Sequence, residues 1–159
     1  PHLRVENRLL AAGPTVADTL ANAAFYFGLV RSLAESQRPL WSQMSFSAAE
    51  ENFHTASRQG IEAQVYWPGV GQVRATELVL RRLLPMAREG LESWGASGAE
   101  IDRFLGIIEQ RCLTGVNGAE WFVRRMHDRR DLERWDGLRA TLHDYRERMH
   151  TNEPVHTWD

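Results

Sequence analysis

The sequence predicts a mainly α protein: five to six helices in a compact bundle, opened by one strand and carrying one small hairpin. Three observations lead there. Apolar residues recur at steps of three and four over most of the chain, which is the period of amphipathic helices. Thr15 with Asp18, Ser47 with Glu50 and Ser97 with Glu100 each place a hydroxyl three residues before an acid, the usual reading of a helix start. Alternation of apolar and polar residues marks only short stretches, the first of them at the N-terminal end. The 159 residues read as a single domain, with no repeat, low-complexity segment or linker.

In chain order, Leu3, Val5 and Asn7 alternate with Arg4, Glu6 and Arg8, so one face of a first strand carries two guanidiniums flanking a carboxylate. The turn Ala12-Gly13-Pro14-Thr15 follows. Thr15 then caps a helix whose stripe Val16, Leu20, Ala23, Phe27, Val30 and Ala34 is expected to face the core. Ala21, Ala24 and Gly28 recur at similar steps and are small enough to let another element approach closely. Arg38-Pro39 ends this part, since a proline disfavours a helical residue before it. A second helix is expected from Ser47 to Gly60, and a hairpin over Ile61–Tyr66 and Gly71–Arg74 about the turn Trp67-Pro68-Gly69-Val70. A third helix runs to about Trp94 with a kink at Pro85, and a fourth from Ser97 to about Leu113. Helices over about Ala119–Arg129 and Leu132–His150 precede a polar tail from Thr151 to Asp159.

Composition narrows the function. A formal net charge of −2 gives no reason to expect nucleic acid or an anionic membrane as partner. All 19 basic residues are Arg, so Schiff-base lysines, P-loop lysines and Ser-Lys dyads are excluded. The single cysteine, Cys112, rules out an intrachain disulfide and a Cys-x-x-Cys knuckle, reads as a buried structural thiol, and suits a cytoplasmic location. The chain starts at Pro1 rather than Met, as expected of a processed or cut product.

Several polar constellations are candidates for chemistry. Arg4 and Arg8 suit a carboxylate or phosphate clamp, because a guanidinium offers two parallel donors. Glu51, His54 and Arg58 share one helix face, which is either a binding site or a solvated ladder of ion pairs. Glu51-x-x-His54 and Glu147-x-x-His150 have the spacing of a di-iron bundle, and facing helices would turn them into a metal site in a freestanding binding module. Asn117-Gly118-Ala119 sits at a loop-to-helix junction, where free backbone N–H groups attract anions.

Several segments are familiar together. His2-Leu3-Arg4-Val5-Glu6-Asn7-Arg8, Ala12-Gly13-Pro14-Thr15, Glu50-Glu51-Asn52-Phe53-His54, Arg58-x-Gly60, Tyr66-Trp67-Pro68-Gly69, Thr114-Gly115-x-Asn117-Gly118-Ala119 and His150-x-Asn152-Glu153-Pro154-Val155-His156-Thr157-Trp158 occur in that order. The chain resembles the C-terminal part of bacterial glutamate–cysteine ligase family proteins, which are ATP-dependent carboxylate–amine ligases. Single motifs are modest, but seven in register are specific, and they cover essentially the whole chain.

The resemblance implies an α+β parent enzyme that phosphorylates the γ-carboxylate of glutamate and lets an amine attack the acyl phosphate. It implies ATP and Mg in the parent, with none expected tightly bound to this portion. Arg4 and Arg8 become the expected catalytic clamps. Glu6, Asn7, Glu51, Asn52, Arg58 and Asn117 become residues that bind substrate or orient those that do. The parent's nucleotide- and metal-binding carboxylates come from strands ahead of this segment, so the chain alone is not expected to be an active enzyme. Its expected partners are the N-terminal catalytic portion, glutamate and an amine. An unpaired first strand is also an exposed edge that can pair with a second copy.

Overall fold

The computed structural model describes His2 and residues 12–159; the first-strand residues Arg4, Glu6, Asn7 and Arg8 lie outside the described residues. The described part is mainly helical. Its elements are α1 (Val16–Ala34), α2 (Phe46–Gln59), β1 (Gln64–Trp67), β2 (Gly71–Arg74), α3 (Ala75–Leu78), α4 (Leu84–Ser93), α5 (Gly98–Thr114), α6 (Gly118–Asp128) and α7 (Arg134–Thr151). A π-helical segment, Val79–Leu83, joins α3 to α4, so the pair is one continuous rod. The wider turn falls just ahead of Pro85, which has no N–H to offer a regular helical bond.

Local signals account for most helix ends. Thr15 accepts a hydrogen bond from the Asp18 N–H, and Ser97 with Glu100 forms a complete capping box. The second helix is capped two residues earlier than expected: Ser45, not Ser47, accepts from the Ala48 N–H, and Phe46 becomes the first helical residue. Its end at Gly60 is as expected, with φ of 57° there. The hairpin forms antiparallel, with Val65 opposite Val73 and Trp67 opposite Gly71.

The packing of α1 bears out the close approach expected at its small residues and overturns the expectation that its large apolar stripe faces the core. Ala17, Ala21 and Gly28 are buried, whereas Val16 is 66% exposed and Phe27 50% exposed, with Leu20 and Val30 also outward. The small-residue face wins because it lets two backbones touch. A Cβ on Gly28 would lie 2.2 Å from the Ala87 carbonyl oxygen, and one on Gly90 would lie 2.0 Å from that of Gly28. α1 and α4 therefore cross at glycine–glycine distance, with α5 packed beneath through Ile101, Leu105, Ile107 and Ile108. The larger apolar side chains of α1 are left on the outside.

The tail is the second correction. It is not a solvated polar extension: Val155 is fully buried and Trp158 nearly so. Pro154 starts one short turn over Val155–Thr157. That turn puts Trp158 edge-on to Trp121 at 5.2 Å and to Tyr145 at 5.6 Å.

Candidate functional site: a buried knot at the start of α1

Three sequence-distant segments meet at Asp18. It lies in the first turn of α1 and is completely buried, so its carboxylate must be matched by donors. The Arg111 guanidinium, from the last turn of α5, donates to Asp18 Oδ1 at 2.5 Å and to the Asp18 carbonyl at 3.2 Å. Its other terminal nitrogen donates to Asn22 Oδ1 at 2.7 Å, while Nε is buried without a partner. The Thr15 hydroxyl donates to Asp18 Oδ2 at 2.9 Å, and the Val155 N–H from the tail donates to both carboxylate oxygens at 3.1 and 3.3 Å. Asn152 closes the arrangement: its Oδ1 accepts from the Ala17 N–H at 3.0 Å.

The turn entering α1 is locked into the same knot. Gly13 donates its N–H to Thr19 Oγ1 at 3.1 Å, and a Cβ at Gly13 would lie 2.5 Å from the Asp18 Cβ. Only glycine fits there. Pro14 in turn presses on Gly118 at the start of α6, where a Cβ would meet Pro14 Cγ at 2.8 Å. Two of the seven stretches singled out in the sequence, 12–15 and 150–158, thus meet at one buried ion pair, and Gly118 from a third packs against Pro14 beside it. Being closed to solvent, this pair holds backbone rather than substrate.

Two titratable neighbours carry its imprint. His156 is half-buried with Nδ1 shielded and without a partner. Burial pushes its pKa below the usual histidine value; Asp18 opposes that shift and Arg111 adds to it. Burial, reinforced by Asp18, holds the Tyr145 hydroxyl above its ordinary range. Next to Arg111, the Cys112 thiol is pushed up to about 11, chiefly by burial, which fits the structural thiol expected of it.

The other expected site residues are dispersed. Asn52 acts on the hairpin: its side-chain amide donates to the Tyr66 carbonyl at 2.8 Å, and its Oδ1 accepts from the Tyr66 N–H at 2.7 Å. In effect the amide takes the place of a neighbouring strand along the outer edge of β1. Replacing Asn52 with Ala leaves both groups partly buried and unpaired. The expected loss is about 1–3 kcal/mol, read as a lower thermal midpoint and faster amide exchange in residues 64–67. Glu51 and Arg58 on the same helix are exposed. Asn117 caps α6, accepting from the Glu120 N–H at 2.9 Å, so this helix start is served by its own side chain.

Glu51 and His54 on α2 do not join Glu147 and His150 on α7 in a ligand cluster. Among the described residues the only grouping with ligand spacing is His143, Asp144 and Glu147, on a single helix face. Asp144 is bridged there by Arg129, and Glu147 lies beside His143 at 3.6 Å. The two Glu-x-x-His pairs share a spacing but not a place. Sequence reasoning missed the Asp18 knot, whose members lie 93 and 137 residues apart. The available signals were Thr15-x-x-Asp18 and the two large apolar residues, Val155 and Trp158, inside an otherwise polar tail.

A family model, glutamate–cysteine ligase family 2, matches residues 1–137. That span takes in Arg4 and Arg8, the turn into α1, the hairpin, the whole of α6 and the first residues of α7. The chain belongs to glutamate–cysteine ligase family 2. No curated protein and no solved structure matches the chain. The family match stops early in α7, so the tail half of the knot, from Asn152 on, lies beyond it. No helix among the described residues is long and apolar enough to cross a membrane.

Proposed function

We propose that this chain is the C-terminal portion of an ATP-dependent carboxylate–amine ligase that makes a γ-glutamyl amide. The observation that carries the proposal is the family match, which begins at residue 1 and so includes Arg4, Glu6, Asn7 and Arg8. In the first step a γ-carboxylate oxygen of glutamate attacks the γ-phosphorus of ATP and ADP leaves. In the second, an amine attacks the acyl carbon, phosphate departs with its bridging oxygen, and the amine gives up a proton. Arg4 and Arg8 grip the carboxylate and then the charge on the transferring phosphoryl group, where bidentate donors count most. Glu6 and Asn7 orient them.

The described residues do not fit a phosphate-bridging metal. Their one ligand grouping is surface-exposed and partly taken up by Arg129. Metal and nucleotide are therefore assigned to the portion upstream. The outward apolar face of α1 supports that division: Val16, Leu20, Phe27 and Val30 form a stripe that water covers poorly. The upstream portion is the partner proposed to cover it.

The test is ADP release by the product of the whole reading frame, supplied with glutamate and a panel of amines. Glutamate-dependent turnover is expected, and Arg8→Ala is expected to lower kcat about 100-fold or more, as for removal of a donor to transition-state charge. ATP turnover indifferent to glutamate, or to Arg4→Ala and Arg8→Ala together, overturns the proposal.

A further inference from the structure

We infer that the outward face of α7 is a docking seam for an acidic amphipathic helix of a partner protein. Trp135, Leu142 and Met149 recur at steps of seven along α7 and are all exposed, the first two at 64% and 57%. Leu138 and Tyr145, both half-buried, fall between them, so apolar residues alternate at steps of three and four over two heptads. At a rise of about 1.5 Å per residue the stripe is about 21 Å long, which suits a docked helix of about four turns. Around Leu142, Tyr145 and Met149 the surface dips into a groove of about 450 Å³. Its floor is held from inside: the Tyr145 ring lies 5.9 Å from that of Trp121 and 5.6 Å from that of Trp158. Leu142, Tyr145 and Met149 lie beyond the family match, and the seam does not depend on the ligase reading.

Charge decides the occupant. Arg139 and Arg146 each stand four residues beyond one stripe residue and three before the next, so both lie along the same rim of the groove. Arg139 has only the exposed Asp136, at 3.3 Å, and such a solvated pair contributes little. Arg146 is exposed and has no ion pair among the described residues. Asp136, His143 and Glu147 fall further round the helix, away from the stripe. A second copy is a poor match. Paired antiparallel about Leu142, each copy sets Arg139 against Arg146 of the other, and a parallel pair sets Arg134 against Arg139. With a net charge of −2, the chain also gains little from an anionic membrane. What matches is a helix with apolar residues in the groove and Asp or Glu on the flank beside Arg139 and Arg146, where guanidiniums grip carboxylates. Trp135 supplies a large aromatic anchor at one end.

The experiment measures binding of two synthetic three-heptad helical peptides to the product of the whole reading frame, by fluorescence anisotropy. Both carry Leu at the a and d positions; one has Glu at the flanking positions and the other Lys. The Glu peptide is expected to bind in the micromolar range, and the Lys peptide about tenfold or more weaker. Arg139→Glu combined with Arg146→Glu is expected to reverse that preference without moving the thermal midpoint, since both side chains are exposed. Leu142→Asp is expected to abolish binding of both peptides. Equal affinity for the two peptides, binding of neither, or a preference unchanged by the double substitution overturns the inference. So does a dimer, read by sedimentation, that Leu142→Asp dissolves, because a second copy then occupies the seam. Binding to phosphatidylserine vesicles that Leu142→Asp abolishes overturns it in favour of a lipid surface.

Discussion

Replacing Arg111 with Met is expected to lower the thermal midpoint by roughly 10 °C. Methionine fills similar space but leaves Asp18 buried without its charge partner. Arg111 itself is only 11% exposed, so water cannot take its place. The Thr15 hydroxyl and the Val155 N–H remain as donors, and neither carries a charge. Removing one member of a buried ion pair costs about 3–5 kcal/mol, and for a chain of this size each kcal/mol is about 2–4 °C. The double variant Arg111→Met with Asp18→Leu should recover part of the loss, because no buried carboxylate is then left unpaired. Calorimetry on the three variants checks this. A midpoint within a degree or two of the unmodified chain would mean that Asp18 is not enclosed.

Gly28→Ala is expected to destabilise strongly, although alanine is the better helix former by about 1 kcal/mol. The added methyl meets backbone, not a side chain able to swing away: the Ala87 carbonyl oxygen stands 2.2 Å from its position. α1 and α4 must separate, loosening the contacts of Ala21, Ala24 and Phe25 with Ala87 and Ile108. Overpacking of this kind costs about 1–3 kcal/mol or more. Gly106→Ala in α5 is the matched control, because no atom lies within 4 Å of its Cβ position. There the propensity gain stands alone, and stability should rise by up to about 1 kcal/mol. Opposite signs for one substitution at two helical glycines, measured by urea unfolding, is the expected result. The same sign at both would remove the close crossing.

These two sites mark where the sequence stopped being readable. Helix number, the hairpin about Trp67-Pro68-Gly69-Val70 and the caps at Thr15 and Ser97 were legible because each is decided within a few residues. The α1 stripe was misread for a physical reason. Apolar periodicity finds two faces on that helix, and its large residues mark the stronger hydrophobic signal, while backbone approach at Gly28 and Gly90 selects the small one. No local rule tells which face gains more. Ser45 displaced Ser47 as cap, and the two are serines only two residues apart with their hydroxyls in contact. The tail was read as polar because Glu153, His156, Thr157 and Asp159 outnumber Val155 and Trp158, the two residues that anchor it.

Of the candidate site, the arginine strand and the segment 114–119 stood out in sequence through the family pattern. The ion pair at the start of α1 did not, since pairing Asp18 with Arg111 and Val155 is a property of the folded chain. The Glu-x-x-His pairs show the converse: a spacing with a chemical meaning that the fold does not bring together. His156 adds a pH dependence to the same region. Its folded-state pKa is lowered, so the unfolded chain binds more protons near and below pH 6.5, and the stability of the docked tail falls as pH drops through that range.

The most direct test of the ligase claim is isotope transfer. Glutamate labelled with ¹⁸O in its γ-carboxylate is turned over with ATP and a reactive amine by the product of the whole reading frame, and the released phosphate is weighed by mass spectrometry. An acyl phosphate intermediate predicts one ¹⁸O per phosphate released, carried over as the bridging oxygen. Phosphate free of label, with ATP consumed, would contradict the account.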